Sequence, residues 1–269
     1  MPFQKGFLIN WDLQRQIWDY VFRTKLAVDF SDTTLIITEP CLNFKPIQEN
    51  ITEILYEEYN FASLLRTTCG QLARWKYTKE NPNSQCCLVV DSGYSFTYVI
   101  PYVKDSRLKD GIRRIDVGGK ALTNYLKDII SYRQINVMDE TYVVNQLKED
   151  CCYVSTEFWK DLEIAKSKKN SICRDYVLPD YTIVKRGFVR DPNDTSRTEQ
   201  QIIRMNNERF QVPEMLFYPS DVGINEIGIS HTIVNSIESA AREAQYNLYE
   251  NIILIGDIKG NYLPFILIC

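Results

Sequence analysis

The chain has 269 residues, of which 45% are hydrophobic and 25% are charged, a balance typical of a globular protein with a sizeable core. Its formal net charge of −4 argues against nucleic-acid binding through the bulk field of the protein. A single histidine and eight cysteines without a C-x-x-C spacing argue against a zinc site. We expect the thiols to be small buried hydrophobes in a reducing compartment, and we expect no signal peptide or membrane span.

The first eighty residues predict two helices and a strand. Asn10 can cap a helix whose apolar residues follow near-helical spacing as far as Phe22. Residues 34–38 (TLIIT) predict a buried strand, and Pro46 suits the first turn of a second helix. The polar stretch 81–84 then marks the expected crossing between two halves of the chain.

Residues 86–101 carry the most informative pattern. An apolar run reaches Asp91, turns on Ser92 and Gly93, and leaves as a second β-rich run, which is the layout of a strand–turn–strand phosphate loop. Gly93 would allow a tight turn with positive φ, so that backbone N–H groups face an anion, and Asp91 would stand where a metal-bound phosphate needs it. By themselves these residues favour the plainer interpretation, an ordinary β-hairpin.

Strands and helices mix through the rest of the chain, which favours an α/β architecture. The predicted elements are a strand over 112–117, a helix from Gly118-Gly119 to about Tyr132, helices over 139–149, 156–168 and 229–246, a strand over 251–255, and an exposed polar insertion over 181–200. Gly118 and Gly119 could let a phosphate approach a helix N-terminus, or merely let the helix pack on the strand. Lys148 and Glu149 could hold a ribose, although a charged pair in a helix more often faces solvent.

Taken in order, these segments resemble the actin family over nearly the whole chain. The segments that carry the resemblance are 6–12 (GFLINWD), 38–43 (TEPCLN), 91–97 (DSGYSFT), 119–123 (GKALT), 148–154 (KEDCCYV), 178–180 (LPD) and 207–210 (NERF). The resemblance implies the α/β fold shared by actin, heat-shock chaperone ATPases and sugar kinases, with two lobes, and a chain incomplete at its N- and C-termini. Residues 137–141, 176–180 and the insertion resemble the nuclear actin-related protein six subfamily in particular.

The resemblance also implies a nucleotide site and a division of the chain. The residues that would bind nucleotide are Asp91, Ser92, Gly93, Gly118, Gly119, Lys148, Glu149 and Gly256. The expected divisions are a partial first lobe over 1–82, a second-lobe core over 83–117 and 225–269, and a smaller subdomain over 118–224 that holds the insertion.

Several positions depart from the family pattern. The glutamine and histidine that position the hydrolytic water correspond to Cys69 and Tyr98, and a second aspartate of the hairpin corresponds to Tyr94. The family's Arg-Asp after the helix glycine becomes Lys120-Ala121, and its second glycine after the last strand becomes Asp257. Because none of the three hairpin and water-positioning replacements can polarise water or support a magnesium–phosphate site as the originals do, we expect a vestigial nucleotide site without catalytic or metal-binding residues. The resemblance implies ATP as the cofactor, but these departures argue against tight nucleotide binding, so we expect no firmly bound cofactor.

The function implied by the resemblance is that of a non-catalytic subunit of an Swr/SRCAP-type chromatin-remodelling complex, which deposits a variant histone in nucleosomes. Its partners would be other subunits of the complex, with indirect contact to nucleosomes, no sequence-specific DNA binding and no membrane. The expected location is the nucleus, with the cytoplasm as a second location. The alternatives are a weak ATPase that uses Asp91 and, less favoured, a filament-forming cytoskeletal protein.

Overall fold

The computed structural model describes residues 2–104, 106–191 and 200–256. Within these ranges helices pack on several β-sheets, so the predicted α/β class is confirmed. None of the helices in the described ranges has both the length and the apolar character needed to cross a membrane.

The first eighty residues form a small layer of sheet and helix with a core of its own. Its elements are β1 (Phe3–Gln4), β2 (Phe7–Leu8), α1 (Trp11–Asp19), a π-helix (Tyr20–Leu26), a 3₁₀ turn (Phe30–Asp32), β3 (Thr34–Glu39), α2 (Lys45–Glu57), β4 (Ser63–Thr68) and α3 (Cys69–Glu80). Asn10 caps α1 by accepting a hydrogen bond from the Leu13 N–H, and Pro46 lies in the first turn of α2, both as predicted. The aromatic residues Trp18, Phe22, Tyr59 and Phe61 are buried between these elements.

A five-stranded sheet forms the centre of the molecule. Its strands are β5 (Cys86–Ser92), β6 (Thr97–Val103), β7 (Ser106–Arg107), β8 (Arg113–Ile115) and, at one edge, β12 (Ile252–Ile255). β5 and β6 form the predicted hairpin, and β12 runs parallel to β5. The largest apolar core lies between this sheet and the helices that follow it in the chain.

Six α-helices and three further strands of the described chain lie between β8 and β12. They are α4 (Gly119–Arg133), α5 (Thr141–Cys151), α6 (Phe158–Lys166), β9 (Arg174–Val177), β10 (Phe188–Val189), β11 (Ile202–Met205), α7 (Glu208–Glu214), α8 (Ile229–Glu238) and α9 (Arg242–Glu250). Strands β10, β9 and β11 form a separate antiparallel sheet in that order. The proposed boundaries at residues 83, 118 and 225 stay a prediction.

Three sequence expectations need correction. The single helix predicted over 229–246 is two helices, because the Ser239 hydroxyl bonds back to the Ser236 carbonyl and Ala241 turns to an extended ψ of 142°. The strand over 34–38 exists but alternates between exposed and half-buried residues, since α2 covers only one of its faces. The insertion is not wholly exposed loop, because β10 pairs with β9, whereas residues 192–199 lie outside the described ranges.

The cysteines follow the expectation only in part. Cys41, Cys86, Cys87, Cys151 and Cys152 are buried free thiols, and burial raises the pKa of Cys87 to about 11. Cys69 is exposed and Cys173 is half-buried, whereas Cys269 lies outside the described residues.

Candidate functional site

The hairpin turn is held closed by hydroxyl groups as well as by its strands. Ser92 faces Thr97 in the strand register, with their hydroxyl oxygens 2.8 Å apart, and Thr97 Oγ1 donates to the Val117 carbonyl at 2.9 Å. The Gly93 N–H donates to the Phe96 carbonyl at 3.0 Å and closes the turn. The turn is therefore fixed against the chain that leads into α4.

The glycine that this turn requires is not the one that the sequence suggested. Gly93 does not adopt a positive φ, so the prediction of a left-handed Gly93 is wrong. A Cβ there would lie an ordinary 3.7 Å from the Phe96 carbonyl oxygen. The restrictive position is Gly118, where a Cβ would lie 2.6 Å from the Gly93 carbonyl oxygen and 2.8 Å from the Phe96 nitrogen. Gly118 has an extended φ of −158°, so the restriction comes from close approach of two backbones.

The hairpin turn bonds directly to the N-terminus of α4. The Gly119 N–H donates to the Gly93 carbonyl at 3.0 Å, and the Lys120 N–H donates to the Tyr94 carbonyl at 2.7 Å. A helix N-terminus offers unpaired N–H groups and a partial positive charge to an anion. Here carbonyl groups of the hairpin occupy two of these donors, so the two segments that the resemblance assigned to phosphate bind each other.

Lys148 and Glu149 point in different directions and do not act as a pair. Lys148 is buried on α5, and its ammonium group donates to the Gly119 carbonyl at 3.1 Å, Thr123 Oγ1 at 3.1 Å and Asn145 Oδ1 at 3.0 Å. Glu149 is exposed and accepts from the Asn145 amide at 2.7 Å. The expectation of a solvated charged pair is therefore wrong for Lys148, which joins α5 to the start of α4.

Gly256 reaches the same region from the other edge of β5. It follows β12, whose last residue Ile255 pairs with Asp91, and it adopts a φ of +111°. A Cβ at Gly256 would lie 2.0 Å from the Ser92 carbonyl oxygen, so only glycine fits beside this strand end. Asp257 lies outside the described residues.

The positions that correspond to hydrolytic residues hold side chains with other roles. Tyr98 is 2% exposed, and its hydroxyl accepts from Arg114 at 3.3 Å, while burial raises its pKa. The Tyr94 ring lies against Gly119, and burial raises the pKa of Tyr94 as well. Cys69 begins α3 and is exposed. Neither tyrosine is a base near neutral pH.

Sequence reasoning missed Arg114, which links three segments around the hairpin. Its guanidinium lies 5.1 Å from the Phe7 ring centroid, 4.7 Å from that of Phe96 and 5.6 Å from that of Tyr98. It also donates to the Asp116 carboxylate at 2.7 Å. A basic residue in a predicted strand is a weak signal, because only the fold brings these rings together.

A cavity of about 640 Å³ opens between the N-terminal hairpin, α1 and the turn at 93–96. Lys5 and Lys120 supply its positive charges, and Tyr94 forms part of its wall. Gln14, which is 6% exposed, also lines it, and its Oε1 atom lacks a hydrogen-bond partner among the described residues. The cavity can therefore take a group that carries negative charge and a hydrogen-bond donor.

A nucleotide fits this region only in part. Two lysines line the cavity, and the backbone N–H groups of Tyr94 and Ser95 make no backbone hydrogen bond within the described chain. The N–H groups of Gly119 and Lys120 and the ammonium of Lys148 already donate to protein acceptors. In the described ranges no cluster of three carboxylate, thiol or imidazole groups is arranged to hold a metal ion. The assignment of the eight residues to nucleotide stays a prediction.

Comparison with known proteins identifies the family. The family model described as Actin matches residues 1–259. Among curated proteins, Actin-related protein 6 of Drosophila melanogaster is 44% identical over 95% of this chain and 67% of its own length. Actin-like protein ARP6 of Yarrowia lipolytica is 40% identical over 95% of the chain and 65% of its own length, and Actin-related protein 6 of Arabidopsis thaliana is 38% identical with coverages of 95% and 67%.

The chain therefore spans about two thirds of the length of these relatives. The predicted resemblance and the actin-type fold are confirmed, including the likeness to proteins named actin-related protein 6. The hairpin, the start of α4 and the end of β12 meet at one place, and the family model covers nearly the whole sequence. The chain therefore belongs to the actin family.

Proposed function

We propose that this chain belongs to a non-catalytic actin-related subunit of an Swr/SRCAP-type chromatin-remodelling complex that deposits a variant histone in nucleosomes. Its partners are other subunits of that complex, its contact with nucleosomes is indirect, and it works in the nucleus. The likeness to proteins named actin-related protein 6 supports this assignment.

One observation carries the non-catalytic part of the proposal. The carbonyl groups of Gly93 and Tyr94 accept the N–H groups of Gly119 and Lys120, at 3.0 and 2.7 Å. Hydrolysis needs preorganised donors aimed at developing phosphate charge and a group that positions water. Here the two N–H donors at the start of α4 are bonded to the hairpin, and the Tyr98 hydroxyl is hydrogen-bonded to Arg114. These hydrogen bonds hold the hairpin turn against α4, which supports a structural role for this region.

The test is recovery of the full-length protein from nuclear extract. A tagged copy should recover a remodelling ATPase and its other subunits in fixed ratios, measured by quantitative mass spectrometry. The purified protein should hydrolyse ATP no faster than its Asp91→Ala variant. Recovery without any remodelling subunit would refute membership of the complex, and turnover well above that of the variant would refute the non-catalytic role.

A second candidate function, nucleotide binding without turnover, is favoured by the cavity beside the turn. Its two lysines and the available N–H groups of Tyr94 and Ser95 suit a phosphate group. Titration calorimetry of the full-length protein with magnesium–ATP should give saturable binding that Lys120→Met weakens about tenfold, the effect of losing one charge-assisted contact. Lys160→Met is the matched control, because this lysine is exposed on α6. Absence of binding heat would exclude this function, and equal affinities of the two variants would exclude this cavity as the nucleotide site.

A further inference from the structure

A short loop between β9 and β10 presents two large apolar side chains to solvent. We call residues 180–184 (DYTIV) the 180–184 loop. Ile183 is 90% exposed and Tyr181 is 63% exposed. Single exposed apolar residues are common at protein surfaces, so exposure alone does not indicate binding. The geometry that holds these two residues outward is what distinguishes this loop.

The backbone of the 180–184 loop is closed by its own hydrogen bonds. Asp180 Oδ1 accepts the N–H groups of Thr182 at 2.8 Å, Ile183 at 2.9 Å and Val184 at 2.8 Å. The Val184 carbonyl accepts the N–H groups of Asp180 and Tyr181 at 3.0 and 3.1 Å. Tyr181 has a φ of +58°, a strained conformation for a bulky residue. The loop is therefore ordered before any partner arrives.

The base of the 180–184 loop is fastened to α5. Arg186 pairs with the Asp150 carboxylate at 3.1 Å, and the Tyr176 hydroxyl donates to the same carboxylate at 3.3 Å. Gly187 lies directly on the Tyr176 ring, since a Cβ there would come within 2.5 Å of a ring carbon. Tyr176 is fully buried, so the loop stands on a rigid part of the molecule.

Two cations, Lys185 and Arg186, directly follow the 180–184 loop. Lys185 is exposed and makes no ion pair within the described ranges, and the Arg186 side chain remains 62% exposed despite its pairing. The Asp180 carboxylate oxygen that the loop uses faces backbone N–H groups. The tip therefore offers an apolar centre with cations on one side. Nucleic acid would require several cations around the contact, and an apolar Ile183 gives it little to bind.

We propose that the 180–184 loop is a docking element that inserts Ile183 and Tyr181 into an apolar groove of a partner protein, with carboxylates of that groove facing Lys185 and Arg186. The inference rests on the proposed function as a complex subunit and adds the surface and the chemistry of the partner. A rigid loop loses little conformational freedom on binding, and a desolvated pair of apolar anchors is the usual centre of a tight contact.

The test places a photo-crosslinking amino acid at position 183 of the full-length protein within the purified complex. The matched control position is Ile227, which is 48% exposed and lies outside any helix or strand. We expect crosslinks from position 183 to an apolar, carboxylate-bearing segment of one other subunit, and none to that segment from position 227. Crosslinks only to nucleic acid, only to a second copy of this chain, or to nothing would overturn the proposal.

Binding is measured with Ile183→Asp and the control Ile227→Asp, whose melting temperatures should equal that of the wild type because both side chains are exposed. A carboxylate driven into an apolar groove should reduce recovery of the crosslinked subunit about tenfold or more, whereas the control should leave it unchanged. Equal recovery with both variants would overturn the docking element and leave the proposed function standing. If the wild type recovers no remodelling subunit at all, both are refuted.

Discussion

Replacing Gly118 by alanine tests whether direct backbone contact holds the hairpin turn against α4. The new Cβ would lie 2.6 Å from the Gly93 carbonyl oxygen, 2.8 Å from the Phe96 nitrogen and 2.9 Å from the Tyr94 carbonyl oxygen. All three are backbone atoms, so no side-chain rotation can relieve the overlap. The turn and the helix must move apart, and the bonds from Gly119 and Lys120 lengthen or break.

The expected loss of stability follows from these contacts. Two backbone hydrogen bonds contribute about 1 kcal/mol each, and overpacking at a contact between two backbones costs about 1–3 kcal/mol. Gly118→Ala should therefore lower the free energy of unfolding by about 3–5 kcal/mol. In a protein of this size that corresponds to a fall of about 10 °C in melting temperature. Gly93→Ala is the control, because its Cβ meets no atom closer than 3.7 Å and φ is not left-handed, so its effect should stay within about 1 kcal/mol.

The assay is thermal unfolding of both variants by circular dichroism, together with hydrogen exchange of the Lys120 amide. Gly118→Ala should melt earlier and exchange this amide faster, whereas Gly93→Ala should resemble the wild type. A Gly118→Ala variant as stable as the wild type would refute the close contact. A larger loss for Gly93→Ala would show that the turn depends on the glycine that the sequence pattern suggested.

Three further outcomes are expected in the same unfolding assay. Lys148→Met should lower the free energy of unfolding by about 3 kcal/mol because it removes the charge-assisted hydrogen bonds of a buried ammonium group. Glu149→Gln on the exposed side of α5 should change it by less than about 0.5 kcal/mol, and equal effects would contradict the buried role of the lysine. Gly256→Ala should lower the free energy of unfolding by at least about 3 kcal/mol, because alanine would be strained at a φ of +111° and its Cβ would overlap the Ser92 backbone. An unchanged free energy of unfolding would refute the close contact of Gly256 with Ser92. Burial and the Asp19 carboxylate raise the pKa of Tyr59 to about 12, above its ordinary value of 10. The stability that the neutral Tyr59 hydroxyl contributes to the fold is therefore complete below about pH 10 and is lost as the pH rises towards 12. Tyr59→Phe should make the melting temperature less dependent on pH in that window, and an unchanged dependence would exclude the coupling.

Local sequence rules predicted many of the elements that form this site. The apolar run to Ser92 and the β-branched and aromatic residues from Thr97 define a hairpin, because a buried strand pair needs such side chains on both faces. Asn10 and Pro46 mark helix starts for reasons confined to one helical turn. The break after Glu238 was missed because it depends on a hydroxyl competing with the helix backbone, and α3 was missed because it lacks a clear amphipathic stripe.

Long-range contacts account for what the sequence could not predict. Gly93 and Gly118 both stand at turns, and only their distances to neighbouring backbone show that Gly118 is the restricted one. Lys148 and Glu149 are adjacent, and only the packing of α5 on α4 decides that the first is buried and the second exposed. Arg114 carried only a weak signal, since its aromatic neighbours Phe7, Phe96 and Tyr98 belong to two segments far apart in the chain.

The sequence by itself therefore determined the α/β class, the hairpin, the helix starts and, through the order of its motifs, membership of the actin family. Those features depend on side-chain patterns and turns that span only a few residues, so they can be predicted from the sequence. The tertiary structure alone decided that the hairpin carbonyls accept the first N–H groups of α4 and that the Lys148 ammonium bonds to protein acceptors. It also decided that the exposed Ile183 lies in a loop whose base packs on the buried Tyr176. Those outcomes depend on distances between segments far apart in the chain, which packing sets and local pattern does not.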